Sequence, residues 1–137
     1  MSLKVELKPG ERILIGECVL TNAGHRASFL IDGKMPIIRE KDIITAEQAN
    51  TPAKRIYLSI LLMYTSRDAR NQHATYFALV RDLLEAAPSA WGQIEIINNH
   101  ILRGDLYKAL KQAKQLITYE QELMSNEPSG AGLRKSR

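Results

Sequence analysis

The chain has 137 residues, enough for one domain or two small modules, and its 45% hydrophobic and 25% charged shares exclude a low-complexity or wholly disordered polypeptide. The formal charge is +4, yet residues 1–50 hold seven basic against seven acidic residues, which excludes a positive field over the whole protein and leaves only local clusters for an anionic partner. The longest near-continuous apolar run, Ile56 to Tyr64, spans nine residues, about half of the roughly 20 that a transmembrane helix needs, so no membrane span is expected.

Leu3, Val5 and Leu7 alternate with Lys4, Glu6 and Lys8, the pattern of an amphipathic strand, and Pro9-Gly10 supplies a tight turn. This charged alternation lacks the apolar stretch of a signal peptide, so a cytoplasmic location is expected. Arg12 to Ile15 and Glu17 to Thr21 read as strands parted at Gly16, where a bend or bulge is permitted. Asn22-Ala23-Gly24 reads as a hairpin loop, Arg26 to Ile31 as a fourth strand and Asp32-Gly33 as a second hairpin turn. Met35 to Arg39 completes the set, with Pro36 suited to a strand start or edge. The expectation for residues 1–48 is a small five-stranded antiparallel β barrel or sandwich.

Beyond residue 50 the apolar period changes from two to helical spacing. Thr51-Pro52 is a helix start, and Ala53 to Tyr64 is apolar almost all round, as a buried helix is. Asp68 to Ala86, or part of it, gives a second helix with Tyr76, Phe77, Val80, Leu83 and Leu84 inward and Pro88 beyond its end. Ser89 to Leu102 gives a third, lined by Trp91, Ile94, Ile97 and Ile101, and Gly104 stops it. Asp105 caps a fourth, whose stripe is Leu106, Leu110, Ala113 and Ile117, with Lys108, Lys111 and Lys114 off it. The class is therefore α+β: the β module, a helical module over 49–124 with a bundle of about four helices, and a disordered basic tail over 125–137. Modules this small bury limited surface, so they are expected to pack on each other or on a second subunit, with a homodimer as the default.

Catalytic chemistry is hard to find. His25, His73 and His100 fall in different elements, and Cys18 lies in an aliphatic strand where a buried inert thiol is expected. One cysteine excludes an intrachain disulfide, and no phosphate loop, dinucleotide fingerprint, nucleophile elbow or paired metal spacing is present. A non-enzymatic protein without metal or cofactor is expected. Arg39-Glu40-Lys41-Asp42 reads, by itself, as solvated surface or a local ion pair.

Several separated blocks are more specific. Leu7 to Gly16, Ile37 to Ile43, Thr51 to Leu58, Thr75 to Val80, Asn98 to Leu102 and Gly104 to Leu110, together with the opening Met1 to Lys4, resemble in their order the FlbT family of alphaproteobacterial flagellar biosynthesis repressors. The resemblance covers the chain to about Met124. It implies a post-transcriptional regulator that binds the 5′ untranslated region of flagellin mRNA, limits its translation and shortens its life, although some members of the family promote flagellin expression.

A second, weaker likeness concerns the β half. Lys8-Pro9-Gly10-Glu11, the isoleucines 13 and 15 closed by Gly16, and Arg39-Glu40 after the last strand resemble the carbon-storage regulator CsrA, a strand-exchanged β dimer that binds GGA-containing RNA loops. That likeness implies RNA contact by Arg39, with Lys8 and Val5 beside it. The basic residue expected before Lys8 is here Leu7, so part of the RNA surface is lost or is replaced by Lys4, Arg12 or the helical half. The alternative is a protein-interaction module that controls flagellin supply by holding flagellin or a flagellar co-regulator in a helical groove, rather than RNA.

Overall fold

The structure, a computed structural model, describes residues 2–66 and 69–126. The basic tail beyond Asn126 and the expected helix start at Asp68 lie outside the described residues. Contacts divide the chain into a strand unit, residues 2–44 with 65 and 66, and a helical unit, residues 45–64 with 69–126. The class is α+β, as the change of period predicts.

Five strands form: β1 (Ser2–Leu7), β2 (Arg12–Ile15), β3 (Cys18–Thr21), β4 (Ala27–Asp32) and β5 (Ile37–Arg39). They make two small antiparallel sheets, β1-β4 and β3-β2-β5, and do not close into a barrel. The sheets share an apolar core in which Val5 and Leu7 of one meet Ile13 of the other, flanked by Ile15, Ile31 and Ile37.

Only one of the expected turns joins paired neighbours. Ile15 faces Cys18 across a two-residue connection, Gly16-Glu17, in which Gly16 has φ +61°, so the expected bend is a tight hairpin. Neither Asn22-Ala23-Gly24 nor Asp32-Gly33 closes a hairpin, because β4 pairs with β1 and β5 with β2. The Asn22 amide shows why at the first site: it donates to the carbonyls of Leu7 (2.9 Å), Lys8 (3.2 Å) and His25 (2.9 Å), tying the loop after β3 to the end of β1. At the second, the chain runs on through Lys34 and Met35 to Pro36, whose carbonyl accepts the Gly16 N–H at 2.7 Å. These pairings put Ile31 and Ile37 against the core.

β3 is an edge strand exposed along its whole length, so Cys18 is exposed and not buried as its aliphatic setting suggests.

The helical unit holds α1 (Pro52–Thr65) up to Tyr64, α2 (His73–Ala86), α3 (Trp91–Leu102) and α4 (Leu106–Asn126). Local chemistry sets several limits. Thr51 Oγ1 accepts the Lys54 N–H at 3.2 Å, an N-cap followed by proline in the first turn. α3 ends in a Schellman arrangement: Gly104, with φ +79°, donates to the Ile101 carbonyl (3.0 Å) and Asp105 donates to that of His100 (2.8 Å). Asp105 starts α4 through its carbonyl, which accepts the Ala109 N–H at 3.0 Å.

Ile56, Ile60, Tyr76, Ile94, Ile97, Ala113 and Leu116 have no exposed surface. Phe77 and Trp91, expected inward, are 54% and 51% exposed. Tyr76 takes the buried place on α2, and Phe77 meets its ring edge-on at 5.2 Å.

Candidate nucleic-acid interface

The turn after β1 is built by its own residues. Glu11 N–H donates to the Lys8 carbonyl at 3.0 Å, and Gly10 holds φ +79°, the conformation a type II turn requires at its third residue. The Lys8 N–H in turn donates to Glu11 Oε1 at 2.8 Å. Because this turn reverses the chain, Lys8 at the end of β1 and Arg12 at the start of β2 lie at one end of the strand unit. The register of β2 with β5 pairs Ile13 with Arg39, which brings Arg39 to the same end.

The ion pairs there decide which cations are available. Glu40 Oε1 accepts the Arg12 N–H at 2.7 Å and pairs with Arg12 Nε at 3.4 Å. Glu6 pairs with Arg26 at 3.2 Å. The neighbouring acid thus turns to Arg12, and among the described residues neither Arg39 nor Lys8 has an ion-pair partner. Arg39, exposed as the last residue of β5, carries its guanidinium on an extended backbone (φ −74°, ψ 157°).

The other expected residues fall differently. Lys4 is exposed on the outer face of β1, opposite Leu30, away from the end that Arg39 occupies. Val5 is 1% exposed and belongs to the core, so its side chain presents no surface in this chain. Arg12 is an ion-pair member, and its carboxylate partner, 28 residues away, carries no signal in the local sequence. Asn22, read only as a loop residue, is the clamp that fixes the Lys8 end of β1.

What the arrangement offers chemically is a planar fork of donors at a strand end with a lysine at the same end. A guanidinium so placed can engage a phosphate or a base edge with two parallel hydrogen bonds. Among the described residues no group of three or more His, Cys, Asp or Glu side chains is placed to hold a metal ion. No described helix is long and apolar enough to cross a membrane.

The chain matches the family model of the flagellar protein FlbT over residues 3–124. It is 60% identical over 124 residues to the "Probable flagellum biosynthesis repressor protein FlbT 1" of Bradyrhizobium diazoefficiens, covering 90% of this chain and 85% of that protein. Over 125 residues it is 54% identical to a probable FlbT repressor of Rhodopseudomonas palustris, covering 91% and 99% of the two chains. The "Flagellum biosynthesis repressor protein FlbT" of Caulobacter vibrioides is 31% identical over 133 residues, with 95% and 94% covered. No solved structure matches. On the extent of the family match and on these identities, the chain belongs to the FlbT family of flagellar proteins.

Proposed function

We propose that this chain is a cytoplasmic, non-enzymatic repressor of flagellin synthesis that binds the 5′ untranslated region of flagellin mRNA, lowering its translation and lifetime. The repressor part rests on the names of the relatives, and the RNA part on one observation. Glu40 is engaged by Arg12, so Arg39 stands exposed with no ion-pair partner among the described residues, at the same end of the strand unit as the turn that presents Lys8. A single-stranded leader suits such a site, since its bases and phosphates are open to side-chain donors. The expected outcome for Arg39→Ala is weaker binding and a reduced preference for a flagellin leader over a scrambled RNA, measured by gel shift. Unchanged affinity in a folded variant removes the site.

Dimerisation belongs to this reading. β3 is exposed on both faces with one edge unpaired among the described residues, and Leu30 on β4 is 70% exposed, which supports a second copy as their cover. A molar mass of one chain by light scattering at working concentration overturns it.

The second reading, capture of flagellin or of a flagellar co-regulator, is favoured by the exposed Phe77 and Trp91 of the helical unit, because aromatic residues anchor protein interfaces. Salt-insensitive retention of flagellin with no RNA retained selects it.

A further inference from the structure

On α4 the apolar stripe faces inward through Ala109, Leu110, Ala113 and Leu116, and Lys108, Lys111 and Lys114 stand on the exposed side with Tyr107. Between Leu106 and Tyr119 the helix has no acidic residue. This placement does not serve the helix. Lys111 has a lysine three residues away on either side, where like charges repel by a few tenths of a kcal/mol. Lys108 sits in the first turn, where the helix dipole disfavours a cation, and the acid nearest to it along the helix is Asp105, at the helix start. A solvated face with no further role ordinarily mixes both signs.

The ammonium of Lys111 also lies over an aromatic ring. Its Nζ lies 5.2 Å from the centroid of the Tyr107 ring, which stacks at a tilt on Tyr64 with centroids 5.8 Å apart. Tyr107 remains 44% exposed.

We infer that this lysine strip of α4, Lys108 together with Lys111 over the Tyr107 ring, is a second RNA surface that grips phosphates without reading sequence. The inference rests on the RNA-binding reading above and adds a division of labour: Arg39 supplies preference, and α4 supplies sequence-independent affinity. A lysine is a compact charge suited to a phosphate and unsuited to bidentate base recognition.

The test is a titration of the full chain and its Lys108→Ala/Lys111→Ala variant against a flagellin leader RNA and a scrambled RNA at several salt concentrations, with poly-glutamate of matched charge in parallel. Alanine is a strong helix former, so exposed substitutions of this kind leave α4 folded. The variant is expected to bind both RNAs more weakly by the same factor, with the slope of log affinity against log salt shallower by about 1.4, as each phosphate contact to a single strand contributes about 0.7. Arg39→Ala, by contrast, lowers the preference between the two RNAs. If the unsubstituted chain binds the leader and the double variant binds it equally with the same slope, the strip is not an RNA surface, and the Arg39 reading survives. If the unsubstituted chain binds neither RNA, the RNA-binding reading itself fails. Loss of poly-glutamate binding in the variant with RNA binding unchanged overturns the inference in favour of an acidic protein partner.

Discussion

The Asn22 side chain uses both ends of its amide. Its NH2 donates to three carbonyls on two segments, and its Oδ1 accepts the Gly24 N–H at 3.1 Å. Replacing it by alanine removes these bonds, of which the one to the Leu7 carbonyl is part-buried, and Asn22→Ala is expected to lower the stability of the strand unit by about 0.5–1.5 kcal/mol, read as a drop in the urea midpoint. Glu120 does comparable service in the helical unit. Its carboxylate, on a residue only 8% exposed, accepts the Ala53 N–H at 3.0 Å, and so satisfies a first-turn donor of α1 across 67 residues of sequence. Glu120→Ala should therefore cost about 1–3 kcal/mol in the same assay, and Glu120→Gln, which keeps an acceptor oxygen, distinctly less. Equal losses in the two variants argue that the packing of the side-chain stem, and not the hydrogen bond, is what matters at 120.

At the scale of elements, Leu116 of α4 is fully buried, and Leu116→Ala is expected to lower stability by about 2–5 kcal/mol in denaturant unfolding. Tyr76 of α2 adds a pH dependence. Its hydroxyl donates to Asn98 Oδ1, and burial pushes its pKa above the ordinary value of 10.0. Since the folded value lies above the unfolded one, Tyr76 leaves stability undiminished below about pH 10 and lowers it at higher pH, where unfolding releases a proton. The urea midpoint of Tyr76→Phe should accordingly fall less steeply than that of the unsubstituted chain above pH 10, and parallel curves there contradict this role.

Which elements the sequence makes legible follows from where their causes lie. Thr51-Pro52 and Gly104 mark helix limits because capping is settled within a few residues; Gly16 marks a break between strands, read as a bend or bulge, and the structure makes it a hairpin. The partners of β4 and β5 are set by which apolar faces meet, and that is decided at long range, against the local hairpin signals at Asn22-Ala23-Gly24 and Asp32-Gly33. Periodicity put Phe77 and Trp91 inward because it counts apolar residues on a helix without knowing which of them have a neighbour to face.

At the scale of the whole molecule, the strand unit presents Arg39 and the helical unit carries a basic strip on α4. The proposal of Arg39 as a contact residue starts from the likeness to the carbon-storage regulator; the residues alone suggest solvated surface or an ion pair with Glu40 or Asp42, and the structure gives Glu40 to Arg12. Lys8 and Val5 enter the candidate site only through the second likeness; the turn that places Lys8 is marked locally by Pro9-Gly10, and the alternation of Leu3, Val5 and Leu7 already puts Val5 on the apolar face that meets the core. The most direct measurement of the central claim is a gel-shift titration of nucleic-acid-free protein against a labelled flagellin leader and a scrambled control at low and physiological salt. Tighter binding to the leader at both, weakening as salt rises, is the predicted result. Equal binding to the two RNAs, or none at micromolar protein, contradicts direct recognition of the message and moves the regulation to a protein partner.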